Sequence, residues 1–100
     1  MNFEWDSEKD VKNVKIHKLS FSTAKLVFND PERMERFDRN HSDHEARYQT
    51  LGMVDEVLFV VYTERDDITR IISARLADKD ERRIYYGNSK GDFAGWTKAD

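Results

Sequence analysis

The stretch that decides the fold is residues 56–77, EVLFVVYTERDDITRIISARLA, which has the pattern of two strands joined by a tight turn. Six consecutive apolar residues, Val57 to Tyr62, indicate a strand that is buried on both faces and therefore lies in the centre of a sheet. The charged triplet at 65–67 predicts the turn, after which residues 68–77 return antiparallel. The core is therefore expected to form around this hairpin.

Further elements are predicted on both sides of the hairpin. Residues 2–5 have the alternation of a short strand, and Asp6 or Ser7 can cap a helix that follows. A second helix begins after Ser20 and must end before Pro31. The segments 34–39 and 46–54 are predicted strands, and a capping box of Asp78 and Glu81 starts a last helix that ends near Tyr86, before Gly87.

These elements give the order β-α-α-β-β-β-β-α, which predicts an α+β fold in a single compact domain over residues 1–86. We expect a mostly antiparallel sheet with the helices packed on one face. Residues 87–100 hold three of the four glycines and are predicted to be a flexible C-terminal tail, in which Phe93 and Trp96 could dock on the domain.

Composition limits the function classes. The chain of 100 residues has no cysteine, which excludes disulfides and thiolate metal sites. No apolar stretch approaches the ~20 residues that span a bilayer, and the first ten residues lack the pattern of a signal peptide, so we expect a cytoplasmic protein. The net charge of −3 argues mildly against a nucleic-acid binder, although the deficit lies in residues 21–56, with five bases against eight acids.

The arginines of the second hairpin strand are the first candidates for a site. Strict alternation places Arg70, Ile72, Ala74 and Leu76 on one face and Ile71, Ser73 and Arg75 on the other, so one arginine lies on the more open face. Arg65 and Arg82 can extend this basic surface. The alternative is that these arginines only form surface ion pairs with neighbouring acids, each worth about 0–1 kcal/mol.

The three histidines of the chain are further candidates. His41 and His44 lie three residues apart beside acidic residues, which suits a metal site, but the stretch is predicted to be a turn without a rigid scaffold, and a third ligand is missing. We therefore expect a solvated turn and no metal. Asn13 and His17 share one helix face, and an imidazole at His17 could serve in acid–base chemistry or only in the structure.

Three stretches resemble the BrnT family of toxins from bacterial toxin–antitoxin pairs. Residues 3–30 share the Trp-Asp start, Lys12-Asn13, His17, Ser20-Phe21, Ala24 and Phe28 with the opening of that family. Residues 41–52, HSDHEARYQTLG, are similar to its middle stretch. Residues 60–86, which contain the Arg-Ile-Ile-Ser-Ala-Arg run, are similar to its most characteristic segment. The resemblance covers residues 2 to about 86.

The resemblance implies a fold related to the RelE-type toxin ribonucleases and cleavage of RNA, on the ribosome or off it, that inhibits translation. It also implies neutralisation by a BrnA-like antitoxin in a hetero-oligomer. It implies no cofactor, no membrane contact and no direct DNA binding by this chain. One departure is Lys18, where the family usually has glycine. Lysine there either strains a left-handed helix stop or shifts the helix end by one residue.

With this resemblance in view, the candidate residues receive roles in metal-independent RNA cleavage by attack of the 2′-hydroxyl on the phosphate. Arg70 and Arg75 stabilise charge on the phosphorane, and His17 or Glu64 is the base. The orienting or proton-donating groups are Ser73 and Tyr85, whereas Arg65 and Arg82 bind substrate.

Three alternatives stay open at this point. The arginine surface could belong to a non-catalytic module that binds an acidic protein, since the acidic balance of residues 21–56 suits a protein surface. A metal-dependent nuclease would use His41 and His44. A plain structural domain is the third alternative, and the match over residues 70–75 makes it the weakest.

Overall fold

Residues 1–87 and 95–99, which the computed structural model describes, fold around one sheet. Its strands are β1 (Asn2–Trp5), β2 (Met34–Phe37), β3 (Tyr48–Val54), β4 (Glu56–Arg65), β5 (Ile68–Leu76) and β6 (Thr97–Lys98). The helices are α1 (Ser7–His17), α2 (Phe21–Ala24) with a 3₁₀ continuation over Lys25–Asn29, and α3 (Lys79–Tyr85). None of these helices in the described part of the chain is long and apolar enough to cross a membrane.

The strand order is β1-β5-β4-β3-β2-β6. Only the outer β1–β5 pair is parallel among the described strands, and all other neighbours are antiparallel. The predicted α+β class with a mostly antiparallel sheet is confirmed. The turn between β4 and β5 contains Asp66 and Asp67, both with positive φ, which matches the twist of a tight hairpin.

Strand β4 is central, as the apolar run predicted, and it separates two hydrophobic clusters. Its residues Leu58 and Val60 pack against α2 and the 3₁₀ turn, whereas Val57, Phe59 and Val61 face a second cluster on the other side. The first cluster also holds Phe21, Ala24, Val27, Ile71 and Ala74. The second holds Met34, Leu51, Ala77 and Trp96. We call the first side the helix face.

The prediction that all helices pack on one face is wrong for α3. Ile84 and Tyr85 of this helix pack on the second cluster, which contains Phe59 and Val61, and so α3 lies on the side opposite to α2. The capping box of Asp78 and Glu81 is present as predicted, but it fixes only where the helix starts. Ala77 precedes α3 and is itself buried in the second cluster, so that α3 begins on this side of the sheet.

A β-bulge in β5 overturns the predicted alternation of its side chains. Val61 lies opposite Ser73 and Tyr62 lies opposite Ile71, so that Ile72 is an extra residue on β5. Ile71 and Ala74 are therefore both buried on the helix face. As a result Arg70, Ser73 and Arg75 share the opposite face, whereas strict alternation had separated Arg70 from the other two.

Helix α1 completes the exposed edge of β5 beyond the end of β1. The side chain of Asn13 is buried, and its amide nitrogen donates to the carbonyl oxygens of Ala74 and Leu19, each at 2.8 Å. Its amide oxygen accepts from the Ala74 N–H at 3.2 Å. Asn13 thus replaces the missing neighbouring strand, because it satisfies both polar backbone groups of one edge residue.

Lys18 keeps the helix end where a glycine would place it. Its φ of 57° and ψ of 32° are left-handed, and its N–H donates to the carbonyl oxygen of Val14. The strained alternative, and not the shifted helix end, is therefore the one adopted.

We expect Lys18→Gly to stabilise the domain by about 1 kcal/mol, because glycine adopts the left-handed region without steric cost. The matched control is Lys15→Gly, within α1, which should destabilise by about 1 kcal/mol because glycine is a poor helix former. Urea unfolding of both variants measures the two free energies. Equal losses in both would contradict the strain at Lys18.

The C-terminal end adds a strand that the sequence did not predict. Trp96 is buried against Phe59, with ring centroids 6.4 Å apart, so the predicted docking of this side chain occurs. Strand β6 then pairs with β2. Residues 88–94 and 100, which include Phe93, lie outside the described residues. The predicted boundary at residue 86 and the flexibility of the tail therefore stay predictions.

Candidate functional site

We call the side of β5 that carries Arg70, Ser73 and Arg75 the arginine face. Helix α3 covers one part of this side, and the loop over residues 38–47, between β2 and β3, lies over another. About 7 Å of strand separates Ser73 from Arg75, and roughly 15 Å separates Arg70 from Arg75. An arginine therefore stands on each side of Ser73 along the strand.

Arg75 is the most strongly oriented of the arginines. Its Nη1 and Nη2 atoms donate to the two carboxylate oxygens of Glu81 at 2.8 and 3.0 Å, and Nη1 also donates to the Leu76 carbonyl. The guanidinium carbon lies 4.0 Å above the centroid of the Phe59 ring. The hydrogen bonds that Arg75 donates to the Glu81 carboxylate raise the pKa of Arg75.

These contacts occupy only part of the guanidinium. A guanidinium has five N–H donors, and the edge formed by Nε and the outer hydrogen of Nη2 makes no hydrogen bond within the described residues. The side chain is 36% exposed. Arg75 is therefore held in one orientation and keeps a two-pronged donor edge, which is the geometry that recognises a phosphate.

Arg70 and Arg65 are each paired with one glutamate. Arg70 donates to Glu4 of β1 at 2.9 Å, in a pair that is more than one-third exposed on both sides. Arg65 is 70% exposed and pairs with Glu45, and the hydrogen bond from Arg65 lowers the pKa of that carboxyl. Exposed pairs of this kind are worth little, so a phosphate can replace the glutamate at a small free-energy cost.

The two predicted site residues on α3 are tied into the structure. Arg82 donates from Nη1 to the carbonyl oxygen of Ala77 at 2.9 Å. The Tyr85 hydroxyl donates to a carboxylate oxygen of Asp30 at 2.5 Å, and the same oxygen accepts the N–H of Met53. Burial and the bond to Asp30 raise the pKa of Tyr85 above its usual value. The Tyr85 hydroxyl is thus bound to the Asp30 carboxylate, which also binds the backbone of β3 at Met53.

The structure does not bring the two predicted bases to the arginine face. Glu64 lies beside Tyr62 and Glu35, on the helix face of the sheet. His17 is the exposed last residue of α1, and within the described residues it forms no hydrogen bond or ion pair. The roles of both residues stay predictions that this geometry does not support.

Sequence reasoning missed a histidine–aspartate pair in the loop over residues 38–47. Nδ1 of His41 lies 3.1 Å from Oδ1 of Asp38, whose side chain is only 5% exposed. Gln49 also hydrogen-bonds Asp38 and itself accepts from Nε of Arg36 at 2.7 Å. The available signal was the spacing: an aspartate three residues before a histidine in a turn can hold the imidazole through a local side-chain bond.

The pair lies at the edge of a cavity of about 260 Å³ on the arginine face. The walls come from the loop, β3, β4 and β5, and the lining includes Asp38, His41, Arg47, Phe59 and Ser73. Phe59 connects this cavity with Arg75, which stacks on the same ring. His41, Ser73 and Arg47 thus line one depression, and Arg75 lies next to it across the Phe59 ring.

The pKa of Asp38 leads to an acid-sensitivity prediction. Burial raises this pKa, but the hydrogen bonds from His41 and Gln49 outweigh burial and hold it below its ordinary value of 3.8. Because the folded-state pKa is depressed, the carboxylate stabilises the fold above pH 3.8 and loses that contribution as pH falls through the folded-state value. We expect the stability difference between the wild type and Asp38→Asn, measured by urea unfolding, to shrink below about pH 4. A constant difference from pH 7 to pH 3 would contradict this.

Among residues 1–87 and 95–99, no three histidine, aspartate or glutamate side chains come together as metal ligands. His44, the second member of the predicted metal alternative, is exposed in the loop, and His41 is held by Asp38. The arginine face offers the binding of an anion by arginines and proton transfer at an imidazole.

Comparison with known proteins adds the family. Residues 5–81 match the family model described as ribonuclease toxin, BrnT, of type II toxin–antitoxin system. A search of curated proteins gave no match. The matched range contains Arg70, Ser73, Arg75 and the whole loop over residues 38–47, whereas Arg82 and Tyr85 lie just beyond it.

Proposed function

This chain belongs to the BrnT family of ribonuclease toxins of type II toxin–antitoxin systems, and from that premise we propose that it cuts RNA on the arginine face without a metal ion. The observation that carries the proposal is the bulge at Ile72, which puts Arg70, Ser73 and Arg75 on one open side of the sheet. Arginine binds a phosphate in a planar, two-pronged way, and two arginines with a serine on one face suit the binding of a phosphodiester.

The proposed step is an internal displacement in the RNA. The 2′-oxygen forms a bond to the neighbouring phosphorus as its proton passes to a base, and the bond from phosphorus to the 5′-oxygen breaks as that oxygen takes up a proton. The products are a 2′,3′-cyclic phosphate and a 5′-hydroxyl. Negative charge increases on the phosphorane, and the free donor edge of Arg75 is the group that we propose stabilises it.

The other residues then take supporting roles. Arg70 binds a neighbouring phosphate by exchanging Glu4 for it, and Ser73 orients the reacting phosphate between the two arginines. Arg65 and Arg82 border this surface from the end of β4 and from α3. Tyr85 fits a positioning role better than proton donation, because its hydroxyl already donates to Asp30.

As the toxin of a type II pair, the chain has a protein antitoxin as its cognate partner. We propose that this partner is BrnA-like, that it forms a hetero-oligomer with the chain, and that cleavage of RNA in the cytoplasm inhibits translation when the antitoxin is lost. The ion pairs of the arginine face indicate one way to inhibit: acidic side chains of a partner can take the places now held by Glu4, Glu45 and Glu81.

The same ion pairs favour a second candidate function, a non-catalytic surface that binds an acidic protein. Each of Arg65, Arg70 and Arg75 already donates to a carboxylate. On this alternative the chain would bind its acidic partner but leave RNA intact.

The experiment is cleavage of a defined RNA by the purified chain, with magnesium in one reaction and EDTA in the other. We expect equal cleavage in both, together with growth arrest when the chain is produced in bacteria without its antitoxin. Activity that disappears in EDTA would contradict the metal-independent mechanism. Intact RNA in every reaction, with folded protein that still binds its partner, would favour the binding module.

A further inference from the structure

The loop over residues 38–47 presents one imidazole to the arginine face in a fixed orientation. The side chain of His41 is 67% exposed, and its hydrogen bond within the described residues is the one between Nδ1 and Asp38. The Asp38 carboxylate is buried and ionised at neutral pH, so it accepts from Nδ1–H. This fixes the tautomer in which Nε2 carries a lone pair that points away from Asp38.

The loop itself is held at both ends and across its middle. The Asp38 N–H donates to the Arg47 carbonyl at 2.8 Å, and the Ser42 hydroxyl donates to the Asp38 carbonyl at 2.5 Å. The same hydroxyl accepts the Arg47 N–H at 3.0 Å. Because these bonds close the loop on itself, the imidazole is positioned by the backbone as well as by Asp38.

The cavity beside His41 is also lined by a cationic residue, Arg47. Its side chain forms no hydrogen bond within residues 1–87 and 95–99, and its charge helps to lower the pKa of the Glu45 carboxyl. Asp38 and Arg47 are the charged residues that line the cavity with His41, and the described strands β4 and β5 contribute Phe59, Val61, Ile72 and Ser73, which are uncharged. A phosphate bound here would lie between Arg47 and Ser73.

We infer that His41 is the general base of the cleavage reaction and that Arg47 holds the phosphate beside it. In this step Nε2 of His41 takes the proton of the 2′-hydroxyl, the 2′-oxygen bonds to phosphorus, the bond to the 5′-oxygen breaks, and the departing oxygen is protonated by water. Asp38 is a positioning residue, since it orients the imidazole and stabilises the imidazolium that forms. The inference deepens the proposed function and rests on it.

The test measures single-turnover cleavage and RNA binding by the wild type, His41→Ala, His41→Gln and His44→Ala. His44→Ala is the matched control, because that residue is an exposed histidine of the same loop. We expect both His41 variants to cleave about 100-fold more slowly with unchanged affinity for RNA, and His44→Ala to cleave at the wild-type rate. His41→Gln can keep a hydrogen bond to Asp38, and urea unfolding of each variant distinguishes a loss of activity from a loss of folding.

Two further readouts separate a base from a merely structural residue. Added imidazole should restore cleavage by His41→Ala, and the acidic limb of the wild-type pH–rate profile should be absent from that variant. A substrate with sulfur in place of the 5′-oxygen needs no acid for its leaving group, so it should be cleaved slowly by His41→Ala if His41 is the base. Restoration of the rate with this substrate would overturn the assignment and make His41 the acid.

The failures of the inference and of the proposed function are distinguishable. If the wild type cleaves RNA and His41→Ala cleaves equally fast, the inference is wrong and the proposed function stands. If the wild type leaves RNA intact in all conditions, the proposed function fails, and the inference fails with it.

Discussion

Replacing Arg75 with alanine is expected to slow RNA cleavage by about 100- to 1,000-fold, because it removes the oriented donor edge that faces the developing charge. The effect should fall on the cleavage rate more than on affinity, since Arg70 and Arg47 remain to bind phosphate. Single-turnover rates and RNA dissociation constants, measured at one salt concentration, separate the two effects. Arg75→Lys should recover only part of the rate, because lysine keeps the charge and loses the planar fork.

The matched control for this prediction is Arg83→Ala. Arg83 lies on α3, and its ion pair within the described residues is with the exposed Asp80, at 3.7 Å. The Arg83→Ala variant should cleave RNA at the wild-type rate. Because Arg75 also anchors Glu81 of the α3 capping box, the melting temperature of both variants must be followed. A folded Arg75→Ala variant with wild-type cleavage would remove Arg75 from the mechanism.

Replacing Asn13 with alanine is expected to destabilise the domain by about 3 kcal/mol. The change leaves the N–H and carbonyl of Ala74 and the carbonyl of Leu19 without their partner, and buried unsatisfied groups cost about 1–3 kcal/mol each, part of which water recovers at a sheet edge. Urea unfolding measures the loss. Asn13→Asp should also destabilise at neutral pH, because an ionised carboxylate cannot donate to the two carbonyls.

The neighbouring residue supplies the control for Asn13. Lys12 precedes it on α1 and is exposed, so Lys12→Ala should change the free energy of unfolding by less than about 0.5 kcal/mol. A similar small change in Asn13→Ala would show that water replaces the amide at the edge of β5, and that the edge does not depend on this side chain.

The elements that the sequence predicted correctly are those that local signals determine. The apolar run of β4, the cap at Ser20 and the capping box at Asp78 each depend on residues within a few positions of one another. The side on which α3 packs depends instead on the distant residues Phe59 and Val61, and the Tyr85–Asp30 bond joins residues 55 positions apart. Such choices are made by tertiary packing and carry no local pattern.

In the candidate site, too, local sequence predicts some features and tertiary packing determines the others. Arg70, Ser73 and Arg75 could be selected from residue type, but their common face could not, because the bulge at Ile72 arises from burying both Ile71 and Ala74. The adjacent isoleucines 71 and 72 in an otherwise alternating strand were the one visible sign. His41 was interpreted as part of a solvated turn. Its orientation could not be predicted, because it depends on the hydrogen bond to Asp38, and the burial of Asp38 is a result of the tertiary fold.

The most direct test of the central claim is to identify the ends that cleavage creates. The purified chain is incubated in EDTA with an RNA oligonucleotide and with the same oligonucleotide carrying a single 2′-deoxynucleotide at the cleaved position, and the products are analysed by mass spectrometry. We predict a 2′,3′-cyclic phosphate and a 5′-hydroxyl from the RNA, and no cleavage at the deoxy position. A 5′-phosphate product, or cleavage at the deoxy position, would contradict attack by the 2′-hydroxyl on the arginine face.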